Sequence, residues 1–302
     1  MKKIALSVAA LALTAGSALA ADLPSRKAPA YIPPPPPPPM WTGFYVGLNA
    51  GGTFGGSNTI NTAAFGAFPF APLGNVVPYT FASAGLATTS LSAGNNGGFI
   101  GGGQIGYNWQ FYNSFVVGVE ADIQGIAASS SAVNAWSAAS PVAGETLISG
   151  TSASRSIDYI GTVRGRLGWL FTPTFLLYGT GGLAYGGVSM TTGITQQIQG
   201  APAVVNPWFG AGAFSDTRTG WTAGGGVEWM FMPNWSAKVE YLYYDLGSVT
   251  FNTSALISVN NAGAPFTAAF PQTTTRFDGH IVRAGLNYHF NWGAPAPVVA
   301  KY

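Results

Sequence analysis

The sequence predicts an all-β protein, an eight-stranded antiparallel transmembrane β-barrel with long external loops. Three observations carry that prediction. Charged residues are only 7% of the 302 residues against 14% aromatics, too little charge for the water-facing surface of a soluble domain this long. The mean hydropathy of +0.25 comes from scattered Ala, Val, Leu and aromatic residues, not from blocks long enough to form membrane helices. From Trp41 onward, apolar and polar residues alternate with period two in short segments, and the connections between segments are in turn short and long.

The first element is a leader over residues 1–20. Lys2 and Lys3 give the basic start, Ile4 to Thr14 the apolar stretch, and Ala18-Leu19-Ala20 the small-residue cleavage pattern, so the mature chain is expected to begin at Ala21. The apolar stretch is too short for a retained membrane anchor. Of the 12 Lys and Arg, two lie in the leader, and its removal leaves ten basic residues against 10 acidic ones. A formally neutral chain whose Arg and Lys from Arg155 to Arg283 are dispersed has no basic stripe for phosphates, which argues against nucleic acid as a partner. Cysteine is absent, which removes disulfides, thiolate catalysis and Cys-ligated metal together.

Residues 21–40 form the second element, a periplasmic linker carrying the unbroken run Pro33 to Pro39. Proline lacks the backbone donor and favours polyproline II, so the run is a stiff spacer of roughly 20 Å. It is expected to act as a linker, with docking to peptidoglycan or to a periplasmic partner as the alternative.

Eight strands are expected in the barrel over residues 41–290. In the first, Phe44, Val46, Leu48 and Ala50 share one face opposite Tyr45, Gly47 and Asn49. The second, Gly98 to Trp109, sets Ile105, Tyr107 and Trp109 against Gln104, Gly106 and Asn108. The third, Phe115 to Gln124, alternates most clearly, with Val117, Val119, Ala121 and Ile123 opposite Glu120, Asp122 and Gln124. The fourth places Ile157, Tyr159, Val163, Leu167 and Trp169 against Asp158, Thr162, Arg164 and Arg166. Phe175 to Val188 is a glycine-rich fifth strand; a membrane helix over Leu167 to Val188 is disfavoured by Pro173, the threonines and Gly179, Gly181, Gly182, Gly186 and Gly187. Trp221 to Trp229, Trp235 to Asp245 and a last strand ending Val282 to Phe290 complete the set. Short turns fall near residues 110–114, 172–174 and 232–234. The long connections, around 53–96, 126–154, 189–217 and 246–276, are rich in Gly, Ser, Thr, Asn and Ala and are expected to be mostly irregular beyond their strand bases.

The apolar face is aromatic near the short turns and the end of the last strand. Trp109, Phe115, Trp169, Phe175, Trp229, Trp235, Tyr288 and Phe290 are therefore expected to form an interfacial girdle, with this face toward lipid. A soluble lipocalin-like barrel is the competing arrangement, with a surface unusually poor in charge. If the aromatic face looks outward, the interior holds Glu120, Asp122, Asp158, Glu228 and Glu240 with Arg164, Arg166, Lys238 and Arg283. Unpaired charges there would be costly, so these residues are expected to form an ion-pair and hydrogen-bond network, with a narrow wet passage as the alternative. An eight-stranded interior is just wide enough to be filled by side chains.

Neither catalytic nor metal-binding nor cofactor-binding residues are assigned. Glu120 and Asp122 are more simply partners of Arg164 and Arg166 than an acid-base pair. His280 and His289 lie too far apart on one strand for a metal site, and no serine is placed beside His280 for a Ser-His hydrolase.

The residues Ala21-Asp22-Leu23-Pro24, the proline spacer, the segment Trp41-Thr42-Gly43-Phe44-Tyr45-Val46-Gly47, the stretch Leu177 to Gly186 and the terminal Gly285-Leu286-Asn287-Tyr288-His289-Phe290 carry a resemblance. They resemble the small outer-membrane immunogenic proteins of rhizobia and brucellae, a group often labelled the porin family. The resemblance covers essentially all of the mature chain. It implies a surface protein of the Gram-negative outer membrane that supports envelope integrity and presents antigenic loops, and it brings no catalytic residues. One departure is that Phe290, where many such chains end, is followed by residues 291–302, expected as a periplasmic tail.

The expected partners are outer-membrane lipid, lipopolysaccharide and the outer-membrane assembly machinery. Three functions compete: an envelope barrel with exposed loops, a narrow channel for ions or small solutes, and a loop-mediated adhesin.

Overall fold

The computed structural model describes residues 41–67, 77–93, 97–127, 131–200, 207–259 and 265–290. The predicted leader, proline linker and C-terminal tail lie outside them. The chain falls into two units, Met1–Pro38 and Pro39–Tyr302, and the architecture below is that of the second.

The alternating segments all become strands. In chain order the described elements are β1 (Gly43–Gly55), β2 (Thr59–Gly66), α1 (Val77–Ala87), β3 (Thr89–Ser92), β4 (Gly98–Phe111), β5 (Phe115–Ala127), β6 (Ser131–Ala139), β7 (Thr146–Thr172), β8 (Phe175–Gln199), β9 (Trp208–Met232), β10 (Trp235–Asn252), β11 (Leu256–Val259) and β12 (Pro265–Phe290). Antiparallel pairing runs β1-β4-β5-β7-β8-β9-β10-β12, and β12 pairs back onto β1, from Phe44 opposite Phe290 to Gly55 opposite Gly279. The ring is therefore closed by eight strands and leaves no edge, as spanning the membrane with β-structure requires. The remaining four strands are additions outside the ring: β2 on β12 with β3 on β2, β6 on β7, and β11 on β12.

The long connections differ from expectation. They are largely regular, because β7, β8, β9 and β12 run 25 to 27 residues, far beyond the span of a bilayer. The period-two signal is present there too, with Leu147, Thr151, Ala153, Val188, Met190 and Ile194 buried on one face. It is weak in the sequence because the other face carries Ser, Thr and Gly instead of aromatics, so the contrast between faces is small.

The barrel interior is filled in layers. At the end with the short turns, Trp41 packs with Val116, Leu170, Leu176, Tyr178 and Met230. Trp41 is fully buried, and its indole N–H donates to the Pro173 carbonyl at 3.0 Å, so it closes this mouth from within. A polar, charged layer follows. Above it lies an apolar layer that includes Ile100, Ile160, Val188, Leu242, Phe277 and Ile281. The far end is covered by α1, whose Ala84 and Ala87 pack on Leu147, Ile194, Trp208, Leu256 and Phe266. One buried amide fixes this cover: Gln196 accepts from Ser83 Oγ and the Trp208 indole, and donates to the Ser83 carbonyl at 2.9 Å.

Candidate functional site

The polar layer is where the chemistry collects. Strand parity turns Glu120 and Asp122 of β5, Arg164 and Arg166 of β7, Glu228 of β9, Lys238 and Glu240 of β10 and Arg283 of β12 inward, and all eight are buried. Four carboxylates meet four cations, so the cluster is formally neutral, which is the condition for holding charge out of water at tolerable cost.

Arg164 is the hub. It pairs with Glu120, with Asp122 at 2.9 Å and with Glu240 at 2.9 Å. Arg283 bridges Asp122 at 2.9 Å and Glu240 at 2.5 Å from the opposite wall. Lys238 reaches Glu120 at 2.8 Å. Arg166 holds Glu228 at 2.6 Å, and its guanidinium lies 4.0 Å from the centre of the Tyr178 ring. Neutral side chains complete the coordination of the carboxylates. Tyr45 donates to Glu120 at 2.6 Å, Tyr178 to Glu240 at 3.1 Å, Thr162 to Asp122 at 2.8 Å, and Ser236 and Asn287 to Glu228 at 2.5 and 2.7 Å. Gln104 of β4 donates to the Asn287 amide oxygen. Every strand of the closed ring thus sends a side chain into one connected network.

Asp158, expected in this network, is not in it. It is exposed, and among the described residues its carboxylate accepts from Ser156 alone, at 3.4 Å. The cause is a bulge in β7: Ile157 faces Val188 and Tyr159 faces Gly187, so Asp158 is an extra residue and the parity reverses across it. Ile157, expected outside, packs instead against the interior apolar layer. Tyr45, Tyr178, Ser236, Asn287 and Gln104 were not among the expected network residues, although strand parity alone places Tyr45, Gln104, Ser236 and Asn287 on the inward face.

The histidines take different sides. His280 lies on the outward face, where its Nδ1 is 2.7 Å from the Tyr241 hydroxyl. His289 is buried, with Nε2 at 2.8 Å from Ser236 Oγ and 3.6 Å from Glu228 Oε1. A serine, a histidine and an acid are therefore adjacent, a contact that the sequence reading did not find. Serine and acid both face the same ring nitrogen, however, and Ser236 donates to Glu228. A hydrolytic triad needs the acid on the other nitrogen and an accessible serine, whereas Ser236 is fully buried.

The outward face is aromatic at two heights. Near the short turns, Trp109, Phe115, Trp169, Trp229 and Trp235 are exposed, and Phe175, Tyr288 and Phe290 half-buried. Phe175 stacks on Trp229 at 5.7 Å, and Trp235 meets Tyr288 edge-on at 5.2 Å. Phe111, Phe171 and Phe231 join the same row through contacts with Phe115, Phe175 and Trp229. A repeated pattern marks them in the sequence, Trp-x-Phe followed four residues later by Phe or Trp, at 109–115, 169–175 and 229–235. A second row, not expected, contains Phe54, Phe99, Tyr159, Trp221, Tyr243 and His280; Trp221 and Tyr243 lie 5.3 Å apart, and Tyr243 and His280 5.2 Å apart. Along the strands the rows are eight to ten residues apart, from Trp229 to Trp221 and from Trp169 to Tyr159. With about 3.3 Å per residue and a tilt near 40°, that is about 20–25 Å, the height of an outer-membrane apolar band. Beyond the second row β7 continues to Thr146, an extension of roughly 30 Å on the same geometry.

The family model and the sequence relatives agree with an outer-membrane barrel. A family model described as outer membrane protein beta-barrel domain matches residues 7–290. The 31 kDa outer-membrane immunogenic protein of Brucella melitensis is 36% identical over 294 residues, spanning 96% of this chain and 100% of that protein. The 22 kDa outer membrane protein of Rhizobium leguminosarum is 32% identical over 160 residues, 50% of this chain and 58% of that protein. Among solved structures, the outer membrane protein OprG of Pseudomonas aeruginosa aligns over 83% of this chain and 97% of its own, with 9% identity and a TM-score of 0.36.

Proposed function

The chain belongs to the outer-membrane β-barrel family and is a protein of the bacterial outer membrane, and from that premise we propose that it is a non-catalytic barrel that braces the envelope and carries a surface-exposed β-extension. The observation behind this reading is the buried neutral network joined to all eight ring strands. A single layer of ion pairs and hydrogen bonds that includes a side chain from every ring strand stiffens the ring, and the apolar layers on either side of it fill the remaining lumen. Among the described residues of the layer, each carboxylate is held by at least one cation, which leaves a hydrated ion no unpaired carboxylate to move along. The envelope partners that suit such a body are outer-membrane lipid and lipopolysaccharide around the wall and the assembly machinery during insertion.

Planar bilayers test the reading. Purified protein inserted from detergent is expected to give no reproducible conductance steps; stable unitary steps from the unaltered protein would overturn it in favour of a channel. In cells, loss of the protein is expected to raise sensitivity to detergent with chelator, restored by the unaltered chain.

A further inference from the structure

Strands β6, β7 and β8 form a three-stranded outward face high on the extension. Pairing places Trp136, Gly150 and Thr195 in one row across the strands, and Asn134, Ser152 and Gly193 in the next. A Cβ at position 150 would fall 2.8 Å from the Trp136 ring, so glycine is what lets the indole lie down across β7. The result is a shallow depression of about 260 Å³ with the indole as one wall and hydroxyl and amide groups along the rim. No lining residue is charged. Trp136 is 72% exposed, and among the described residues neither its indole N–H nor the Asn134 amide has a hydrogen-bond partner.

A large aromatic ring left in water costs solvation free energy, and one flanked by uncharged donors and acceptors matches a specific class of ligand. Pyranose rings present a C–H face that packs on an aromatic surface and a rim of hydroxyls that exchange hydrogen bonds with amides and hydroxyls. Anions find no cation here, and a lipid chain would leave the rim groups unpaired. The volume lies below the ~300 Å³ of drug-sized pockets and suits a single sugar residue of a longer chain. Height supports the same class: Gly150 is nine residues beyond Tyr159 of the second aromatic row, about 20 Å above it. At that height a wall in the outer membrane faces the saccharide part of lipopolysaccharide.

We propose that the Trp136 depression is a binding site for an uncharged saccharide unit. The sugar comes either from the surrounding lipopolysaccharide or from glycans outside the cell, and the two sources are separable. The experiment uses the full chain folded in micelles free of lipopolysaccharide, with ligand-observed saturation-transfer NMR. The probes are lipid-free polysaccharide from the host's own lipopolysaccharide, a panel of uncharged hexose, deoxyhexose and N-acetylhexosamine oligosaccharides, and heparin as an acidic control. Transfer to uncharged sugar protons is expected. Titrated affinity should fall at least tenfold in Trp136→Ala and in Gly150→Val, with part retained in Trp136→Phe. Heat-modifiable migration in gels reports that each variant is folded, and Trp136→Ala against Trp136→Phe suffices if Gly150→Val is not. Transfer confined to the host polysaccharide assigns the neighbouring leaflet as the source; transfer to the panel assigns external glycans. No transfer to any uncharged sugar, transfer to heparin alone, or unchanged affinity in Trp136→Ala would overturn the proposal. The role of the interior network is untouched by either result.

Discussion

Removing Arg166 should destabilise the barrel more than removing Arg164, although Arg164 makes more ion pairs. Arg164 contacts three carboxylates, but each has a second cation: Lys238 for Glu120, and Arg283 for both Asp122 and Glu240. Among the described residues Glu228 has one permanent cation within ion-pair distance, Arg166 at 2.6 Å, with His289 3.6 Å away. Breaking a buried pair costs about 3–5 kcal/mol, mostly from the charge left behind. Arg164→Met is therefore expected near the lower limit, about 3 kcal/mol or roughly a hundredfold in the folded-to-unfolded ratio, and Arg166→Met near the upper, about 5 kcal/mol. Neutralising the stranded group should restore most of the loss, so Arg166→Met with Glu228→Gln is expected to recover more than half of it. The assay is reversible urea unfolding in phospholipid vesicles, followed by tryptophan fluorescence and by the folded fraction in unboiled gel samples. Equal costs for the two single variants, or no recovery in the double variant, would refute the reasoning that stranded charge governs the interior.

Three further outcomes are expected. Gly102→Ala puts a Cβ 2.0 Å from the Ile123 carbonyl oxygen and should cost about 1–3 kcal/mol by forcing β4 from β5, whereas Gly103→Ala, whose nearest contact is 3.7 Å, should be near neutral in the same urea assay. Because the chain has no cysteine, single spin labels can mark the membrane boundary on β8: Leu183 should be reached by oxygen in hydrocarbon, and Thr191, eight residues on along the same face, by a water-soluble nickel chelate. Reversed accessibilities would move the second aromatic row out of the interface. On α1, burial first and then the hydrogen bond to Glu145 push the Tyr79 phenol up to about 12. A raised phenol favours the fold below its unfolded value near 10 and loses that contribution as pH climbs toward the folded value. Proteolysis of the α1 cover, measured in high-pH pulses, should therefore accelerate between those limits in the unaltered chain and show no such step in Tyr79→Phe.

Much of this architecture was legible in the residues themselves. Alternation in segments such as Phe115 to Gln124 determined the strand, its two faces and, through the charge on one face and the aromatics on the other, which face meets lipid. Local contrast between neighbours carries that information, and a strand needs nothing else to display it. The same contrast fails at 146–154 and 189–199, where Ser, Thr and Gly occupy most outward positions, so those stretches were expected as loops. Tertiary structure alone decided the rest. The bulge at Asp158 is a property of the β7–β8 pairing, and one extra residue on one strand turns a carboxylate from the interior to the surface. The proximity of Ser236 to His289, the closure of one mouth by Trp41, and the indole of Trp136 lying over Gly150 join residues 14 to 132 positions apart. Strand pairing brings the first and last together, β10 with β12 and β6 with β7, and ring closure the second; closure depends on the register of all eight strands at once, which no single stretch of sequence encodes.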